Sequence, residues 1–224
     1  MSAKAFLICN TKKFKKEGFF IPMQQELIEN EGLSEVSIKL KQSNFHLGFN
    51  QYNCHYDFKH NKKGIVFNKP FNYYFEPLSF YAYYNQKINL SIFQTKTDAA
   101  IDFTRLINDT GEFDLTPIEI NFQKIIPLIT EVAGAWIANL KRAHLKTAGY
   151  FGSNVHKSAE YKQAAEEGNV SNIQLKYISN KDSREYFVAI SSKGSIILYD
   201  SLPTIEDEIE LVYEIYSKLL NPHF

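Results

Sequence analysis

Residues 51–64, QYNCHYDFKHNKKG, bring together one cysteine, two histidines, one aspartate and three lysines in a short stretch. Metals, phosphates and proton transfers use side chains of these types. His55 and Asp57, together with His46 a little upstream, could hold a divalent metal ion or shuttle protons. Which of these side chains meet depends on the strands and turns that carry them.

Alternation of apolar and polar residues predicts a β-strand through the middle of this stretch. One face would carry Tyr52, Cys54, Tyr56 and Phe58, and the other Asn53, His55, Asp57 and Lys59. We therefore expect Cys54 to point into the core, away from His55, which argues against joint metal ligation by the two. A turn centred on residues 50–51 would place His46 opposite His55, with Asp57 on the diagonal.

Three interpretations of this polar face stay open. It is the solvated outer face of a sheet, a binding surface, or a metal or acid–base site with His46, His55 and Asp57 as candidate metal ligands. Residues 57–59 also match the D-x-K half of a metal-dependent nuclease signature, with His55, Asp57 and Lys59 as candidate catalytic residues. The other half of that signature is missing, because no aspartate precedes Asp57 in the chain.

Residues 141–158, KRAHLKTAGYFGSNVHKS, form the most basic stretch that also contains glycines. Such a loop could contact a phosphate or a nucleic acid. The candidate binding residues are Lys141, Arg142, Lys146, His156 and Lys157. The alternative is that Lys141, Arg142, His144 and Lys146 complement the negative end of a long helix predicted over residues 128–148. The spacing of glycines and lysines does not match a P-loop.

A run of aromatic residues between positions 69 and 93 predicts two further strands around Pro77. Tyr81 and Tyr83 fall on one face of the second strand. They are either covered by packing within the molecule or form a tyrosine-rich contact surface for a protein partner. Both remain candidate binding residues.

Other patterns supply the elements around these candidates. Period-two alternation predicts a β-meander over residues 34–67, and Pro22 suits the first turn of a helix that ends at Gly32. Thr97 is the predicted cap of a helix ending near Asn108. A strand with Ile118, Ile120 and Phe122 on one face should then precede the long helix at 128–148.

The last third of the chain has the clearest pattern. It predicts a helix from the Ser158 cap to Gly168, then strands in NIQLKYI, EYFVAI and SIILYD. A final helix should start at Thr204, where Asp207 three residues on makes a capping-box arrangement. The expected fold class is α+β, with two modules that each have a mainly antiparallel sheet and helices packed on one side. The modules would span residues 1–110 and 111–224, although one continuous domain is equally compatible with the pattern.

Composition excludes several classes of protein. The 224 residues carry 25 basic and 25 acidic side chains, so the chain lacks the overall positive charge of a dedicated nucleic-acid-binding protein. Near-neutral charge is compatible with self-association into a homo-oligomer. The two cysteines, Cys9 and Cys54, suit a reducing compartment, and the sequence shows neither a signal-peptide core nor an apolar run long enough to span a membrane. We therefore expect a cytoplasmic protein.

No nucleophile elbow, zinc-protease motif, dinucleotide fingerprint or kinase signature is present. We therefore expect no cofactor, and a binding or regulatory subunit that acts through a protein partner and has a weak nucleic-acid contact at most. The competing hypothesis is a metal-dependent nuclease or phosphodiesterase that uses His46, His55, Asp57 and Lys59.

Overall fold

The computed structural model describes residues 3–23 and 34–221, in which a mainly antiparallel β-structure is combined with four α-helices. This is the α+β class that the sequence predicts. The chain divides into two compact units. The N-terminal unit comprises residues 9–116, and the C-terminal unit comprises the residues up to 8 and those from 117 onwards.

The N-terminal unit is built from strands and one helix. Its elements are β1 (Lys4–Lys13, from Cys9), β2 (Phe19–Met23), β3 (Ser34–His46), β4 (Phe49–His60), β5 (Gly64–Val66), β6 (Lys69–Phe71), β7 (Tyr74–Asn85), β8 (Leu90–Gln94), α1 (Thr97–Asn108) and β9 (Asp114–Pro117). The strand order is β1-β8-β7-β4-β3-β2, while β9 pairs with β1 and β5 pairs with β6 in a separate hairpin.

Helix α1 buries the apolar face of this sheet. The ring of Phe103 packs edge-on against Phe80, with ring centroids 5.1 Å apart, and also contacts Tyr56 and Phe93. The hydroxyl of Tyr56 donates a hydrogen bond to Asp102 on the same helix. The aromatic alternation of β4 and β7 therefore positions the helix, because one face of each strand supplies its packing surface.

The C-terminal unit contains a second set of strands with three helices. Its elements are the first residues of β1, α2 (Phe122–Ile125), β10 (Glu131–Ala138), β11 (Thr147–Phe151), α3 (Ala159–Glu167), β12 (Asn169–Ile178), β13 (Glu185–Ser191), β14 (Ser195–Leu198) and α4 (Ile205–Ile215). Their strand order is β11-β10-β12-β13-β14-β1. Short 3₁₀ turns lie at Ile126–Leu128 and Val155–Lys157, and a π-helical turn, Tyr216–Leu220, follows α4.

The predicted helix–three-strand–helix block is present at the end of the chain. Ser158 caps α3 by accepting a hydrogen bond from the backbone N–H of Tyr161 at 3.1 Å. Thr204 caps α4 by accepting one from the backbone N–H of Asp207, also at 3.1 Å. These signals were predictable because a cap and its helix are neighbours in the sequence.

The predicted long helix at 128–148 is wrong. Residues 131–138 and 147–151 are instead the strands β10 and β11, and β10 pairs with β12 along its length. A bulge between Val132 and Gly134 shifts the buried face of β10 and so disguises its alternation. Pairing with two neighbouring strands outweighed the helical spacing of the apolar residues.

Smaller predictions also failed at element ends. The expected strand through Ile118 and Phe122 is absent, because Asn121 accepts a hydrogen bond from the backbone N–H of Gln123 and starts α2 there. Pro77 does not separate two strands but lies within β7, since extended backbone accommodates the fixed φ of proline.

Two helix-start predictions were also inaccurate. Thr97 is the first residue of α1 rather than its cap, which is Lys96. Pro22 lies in β2 and not in a helix, and the remainder of that predicted helix lies outside the described residues.

Glu214 connects α4 to the turn between β12 and β13 through hydrogen bonds. Its carboxylate accepts hydrogen bonds from Lys218, the backbone N–H of Asn180, Ser179 and Tyr177, at distances between 2.7 and 3.0 Å. Burial alone would raise the pKa of Glu214, but these four donors outweigh it and hold the pKa below its ordinary value of 4.5.

We predict that Glu214 makes the fold acid-sensitive. A carboxyl whose pKa is lowered on folding stabilises the folded state above its unfolded pKa, and this contribution is lost as pH falls from about 4.5 through the folded pKa. The free energy of unfolding in urea should therefore fall more steeply over this window for the wild type than for Glu214→Gln. If the free energy of unfolding depends on pH equally in both proteins, the four hydrogen-bond donors do not stabilise the ionised carboxylate of Glu214.

A second prediction concerns Lys4 in β1, whose ammonium forms an ion pair with Glu208 of α4. The Glu208 side chain is only 2% exposed, whereas that of Lys4 is 46% exposed. Lys4→Ala should lower the free energy of unfolding by about 2 kcal/mol, because it leaves a buried carboxylate without this ammonium. Lys124→Ala, at an exposed position, serves as the control and should change it little.

Candidate functional site

The strand prediction for the opening stretch is confirmed. Residues 49–60 form β4, in which Cys54 is 2% exposed while His55 is half-buried and lies on the opposite face. Burial raises the pKa of the Cys54 thiol and also that of Cys9. Neither sulfur is therefore available as a thiolate ligand or nucleophile.

The predicted turn at residues 50–51 is wrong, and His46 and His55 therefore do not face each other. The chain reverses at Leu47 and Gly48, which both have positive φ, at 49° and 79°. His46 therefore pairs with Phe49 at the end of the hairpin, while His55 pairs with Ser37. Six residues of β4 separate the two positions, roughly 20 Å along the strand.

Gly48 was the signal that could have located this turn. A two-residue hairpin turn with positive φ at both central positions favours glycine, and Gly48 is the single glycine between residues 34 and 60. Two irregularities in β3, between Leu40 and Gln42 and between Gln42 and His46, then set the register with β4. Bulges of this kind cannot be counted from alternation alone.

The remaining members of the predicted site do not form a metal centre. His55 Nε2 lies 3.7 Å from Asp57 Oδ1, and its Nδ1 is 3.1 Å from the hydroxyl of Ser79. The ammonium of Lys59 lies over the ring of Tyr73, 4.1 Å from its centroid. Within residues 3–23 and 34–221, no group of three or more His, Cys, Asp or Glu side chains could hold a metal ion.

The two tyrosines named from the sequence have different environments. Tyr83 is fully buried, and its hydroxyl donates to Gln94 at 3.0 Å and accepts from Gln51 at 3.4 Å. The prediction of Tyr83 as a contact residue is therefore wrong. Tyr81 is half-buried, and the ammonium of Lys41 lies 4.2 Å from its ring centroid and 3.0 Å from its hydroxyl.

Tyr81 belongs to a polar surface that extends over three strands. Register places Asn53 opposite both Lys39 and Tyr81, and His55 opposite both Ser37 and Ser79. We call this surface the lysine–tyrosine face and define it by Lys39, Lys41, Asn53, His55, Ser79 and Tyr81. Sequence analysis missed the two lysines, although alternation in β3 already placed them outside the core.

The positive charge of this face comes mainly from its two lysines. The side chains of Lys39 and Lys41 are exposed, and neither forms an ion pair with a residue in the described part of the chain. By contrast, the ammonium of Lys176 lies 3.5 Å from the carboxylates of both Glu131 and Glu185. Within residues 3–23 and 34–221, the face therefore presents two lysines without an ion-pair partner beside a tyrosine.

The basic segment is less suited to anions than its sequence indicated. Because there is no long helix, Lys141, Arg142 and Lys146 lie in the loop between β10 and β11, and the proposed helix-end role is wrong. Arg142 donates to Glu167, which raises the pKa of the arginine and lowers that of the carboxyl. Lys146 donates to the backbone carbonyl of Arg142 at 3.1 Å.

The two remaining candidates lie in the 3₁₀ turn before α3. Burial, with Lys157 and Lys162 nearby, lowers the pKa of His156 and so favours its neutral imidazole. Lys157 is exposed. The segment thus retains fewer free positive charges than its sequence contains, and these charges are distributed over separate loops.

The chain matches no protein-family model and no curated protein. Among the helices in the described ranges, none combines the length and the apolar character that a bilayer span requires.

We predict little stabilisation by divalent metals. Because His46 and His55 lie far apart, Mg²⁺, Mn²⁺ or Zn²⁺ should change the melting temperature of the wild type and of His55→Ala by the same small amount. Thermal unfolding monitored by circular dichroism in the presence and absence of each ion measures this. A large rise with one metal that disappears in His55→Ala would instead support the nuclease hypothesis.

Proposed function

We propose that this protein is an intracellular binding or regulatory subunit, without catalysis of its own, that docks an acidic protein segment on the lysine–tyrosine face. The modules predicted over residues 1–110 and 111–224 would together form this subunit. The observation that supports this proposal is that Lys39 and Lys41 form no ion pair with any described residue and lie beside the half-exposed ring of Tyr81. Tyrosine is enriched at protein interfaces, and uncompensated lysines attract acidic partners.

A protein partner fits this face better than a nucleic acid. Bases bind to sheet surfaces by stacking on open aromatic rings, and the ammonium of Lys41 already covers the ring of Tyr81. The neutral net charge of the chain also favours a local contact over tracking of a phosphate backbone.

Nuclease activity has less support from the geometry. The hypothesis required His46, His55, Asp57 and Lys59 to act together, but His46 lies at the hairpin end and the Lys59 ammonium lies over Tyr73. The positions of these side chains favour binding over phosphodiester cleavage.

The proposal predicts that charge reversal on the face removes a partner. The wild type, Lys39→Glu/Lys41→Glu and the control Lys62→Glu/Lys63→Glu would each be immobilised and exposed to an extract of the source organism. The control changes the same charge at exposed lysines of the same unit, outside the face. We expect the wild type and the control to retain a protein that the Lys39/Lys41 variant loses, because like charges repel across the interface.

Two further measurements make the result decisive. Circular dichroism should show that all three proteins are folded, and nuclease treatment of the extract should leave capture unchanged. Capture that disappears on nuclease treatment would replace the protein partner with a nucleic acid. Equal capture by all three proteins would exclude the lysine–tyrosine face as the interface.

A further inference from the structure

Strand β11 forms an open edge of the sheet in the C-terminal unit. Among the strands that the structure describes it pairs only with β10, and its sequence, TAGYF, contains neither a charge nor a proline. Soluble proteins usually protect a sheet edge with charged residues, proline or bulges, because its free backbone groups pair with other strands. β11 has none of these sequence protections.

The backbone groups that are free to pair can be identified from the register. The backbone N–H of Gly152 donates to the carbonyl of Ala133 at 3.0 Å, and residues along an antiparallel pair alternate between bonded and non-bonded positions. Tyr150 and Ala148 are therefore the residues of β11 that bond to β10. The N–H and C=O groups of the three exposed residues point outward, namely Thr147, Gly149 and Phe151.

An apolar surface adjoins this edge. Phe151 is 64% exposed, and its ring packs edge-on against Trp136 with centroids 4.9 Å apart. The ring leans towards the middle of β11, since a Cβ placed on Gly149 would lie 3.0 Å from it. An incoming strand would therefore gain both hydrogen bonds and apolar contact at the same place.

We propose that a second copy of this chain pairs with β11 about a two-fold axis through Gly149. In this antiparallel register Gly149 faces Gly149 of the second copy, and Thr147 faces Phe151 on either side. Each of these pairs is of the bonded type, so all six outward N–H groups of the two strands find carbonyl acceptors.

Charge is compatible with the same register. The five residues of β11 are uncharged, and Lys146, the next residue, comes opposite Gly152 of the second copy. No like charges therefore face each other along the paired strands. This interface lies in the C-terminal unit, involves none of the residues of the lysine–tyrosine face, and does not depend on the function proposed above.

Cysteine cross-linking tests the register. Bonded antiparallel pairs place their Cα atoms about 5.5 Å apart, a separation that a disulfide spans, so Gly149→Cys should form a covalent dimer on mild oxidation. The matched control Thr147→Cys should form no disulfide-linked dimer, because four residues of offset separate its two copies by roughly 14 Å. The native cysteines, Cys9 and Cys54, are buried and should not contribute.

Sedimentation analysis of the full-length chain tests the association itself. The wild type should show a concentration-dependent dimer, and Phe151→Lys, which places a charge at the edge, should shift it to monomer. Leu128→Lys, at another exposed apolar position of the C-terminal unit, should leave the dimer intact. A wild type that is monomeric at every concentration would overturn the proposal, as would a dimer unaffected by Phe151→Lys in which Gly149→Cys does not cross-link.

Discussion

The alternation of side chains along the β-strands is the constraint on which the surfaces of this protein depend. The side chains of neighbouring residues in a strand point to opposite faces of the sheet. A strand that buries every second side chain in the core therefore presents the side chains between them on the other face. In β4 the row with Cys54 and Tyr56 is buried in the core, and the row with Asn53 and His55 carries the polar groups. The lysine–tyrosine face is thus the other side of the packing surface for α1.

Features that depend on neighbouring residues could be predicted from the sequence. The caps at Ser158 and Thr204 act within one helical turn, and the strands of the last third are separated by short turns. Predictions failed where the outcome depended on distant segments. Residues 131–138 have apolar residues at helical spacing, and they form a strand because β11 and β12 offer hydrogen bonds on both sides.

The candidate site was partly predictable for the same reason. Alternation correctly separated Cys54 from His55, because both lie on one strand. Whether His46 meets His55 depends on where the hairpin turns and on how many bulges lie in β3. The turn lies at Gly48, and the irregularities of β3 set its register with β4. Tyr83 illustrates a third limit, because alternation gives the side of a sheet but not what covers that side.

A sheet offers a partner side chains on its face and backbone groups at its edge, and each proposed surface uses one of these. A sheet face presents side chains, so its partner is selected by charge and shape, as with Lys39 and Lys41 beside Tyr81. A sheet edge presents backbone N–H and C=O groups, so its partner must be another extended strand. Salt should therefore weaken association at the lysine–tyrosine face by screening its charges, while the uncharged pairing at β11 should respond little. Binding of an acidic segment and pairing with a second copy are then chemically independent, because no residue belongs to both surfaces.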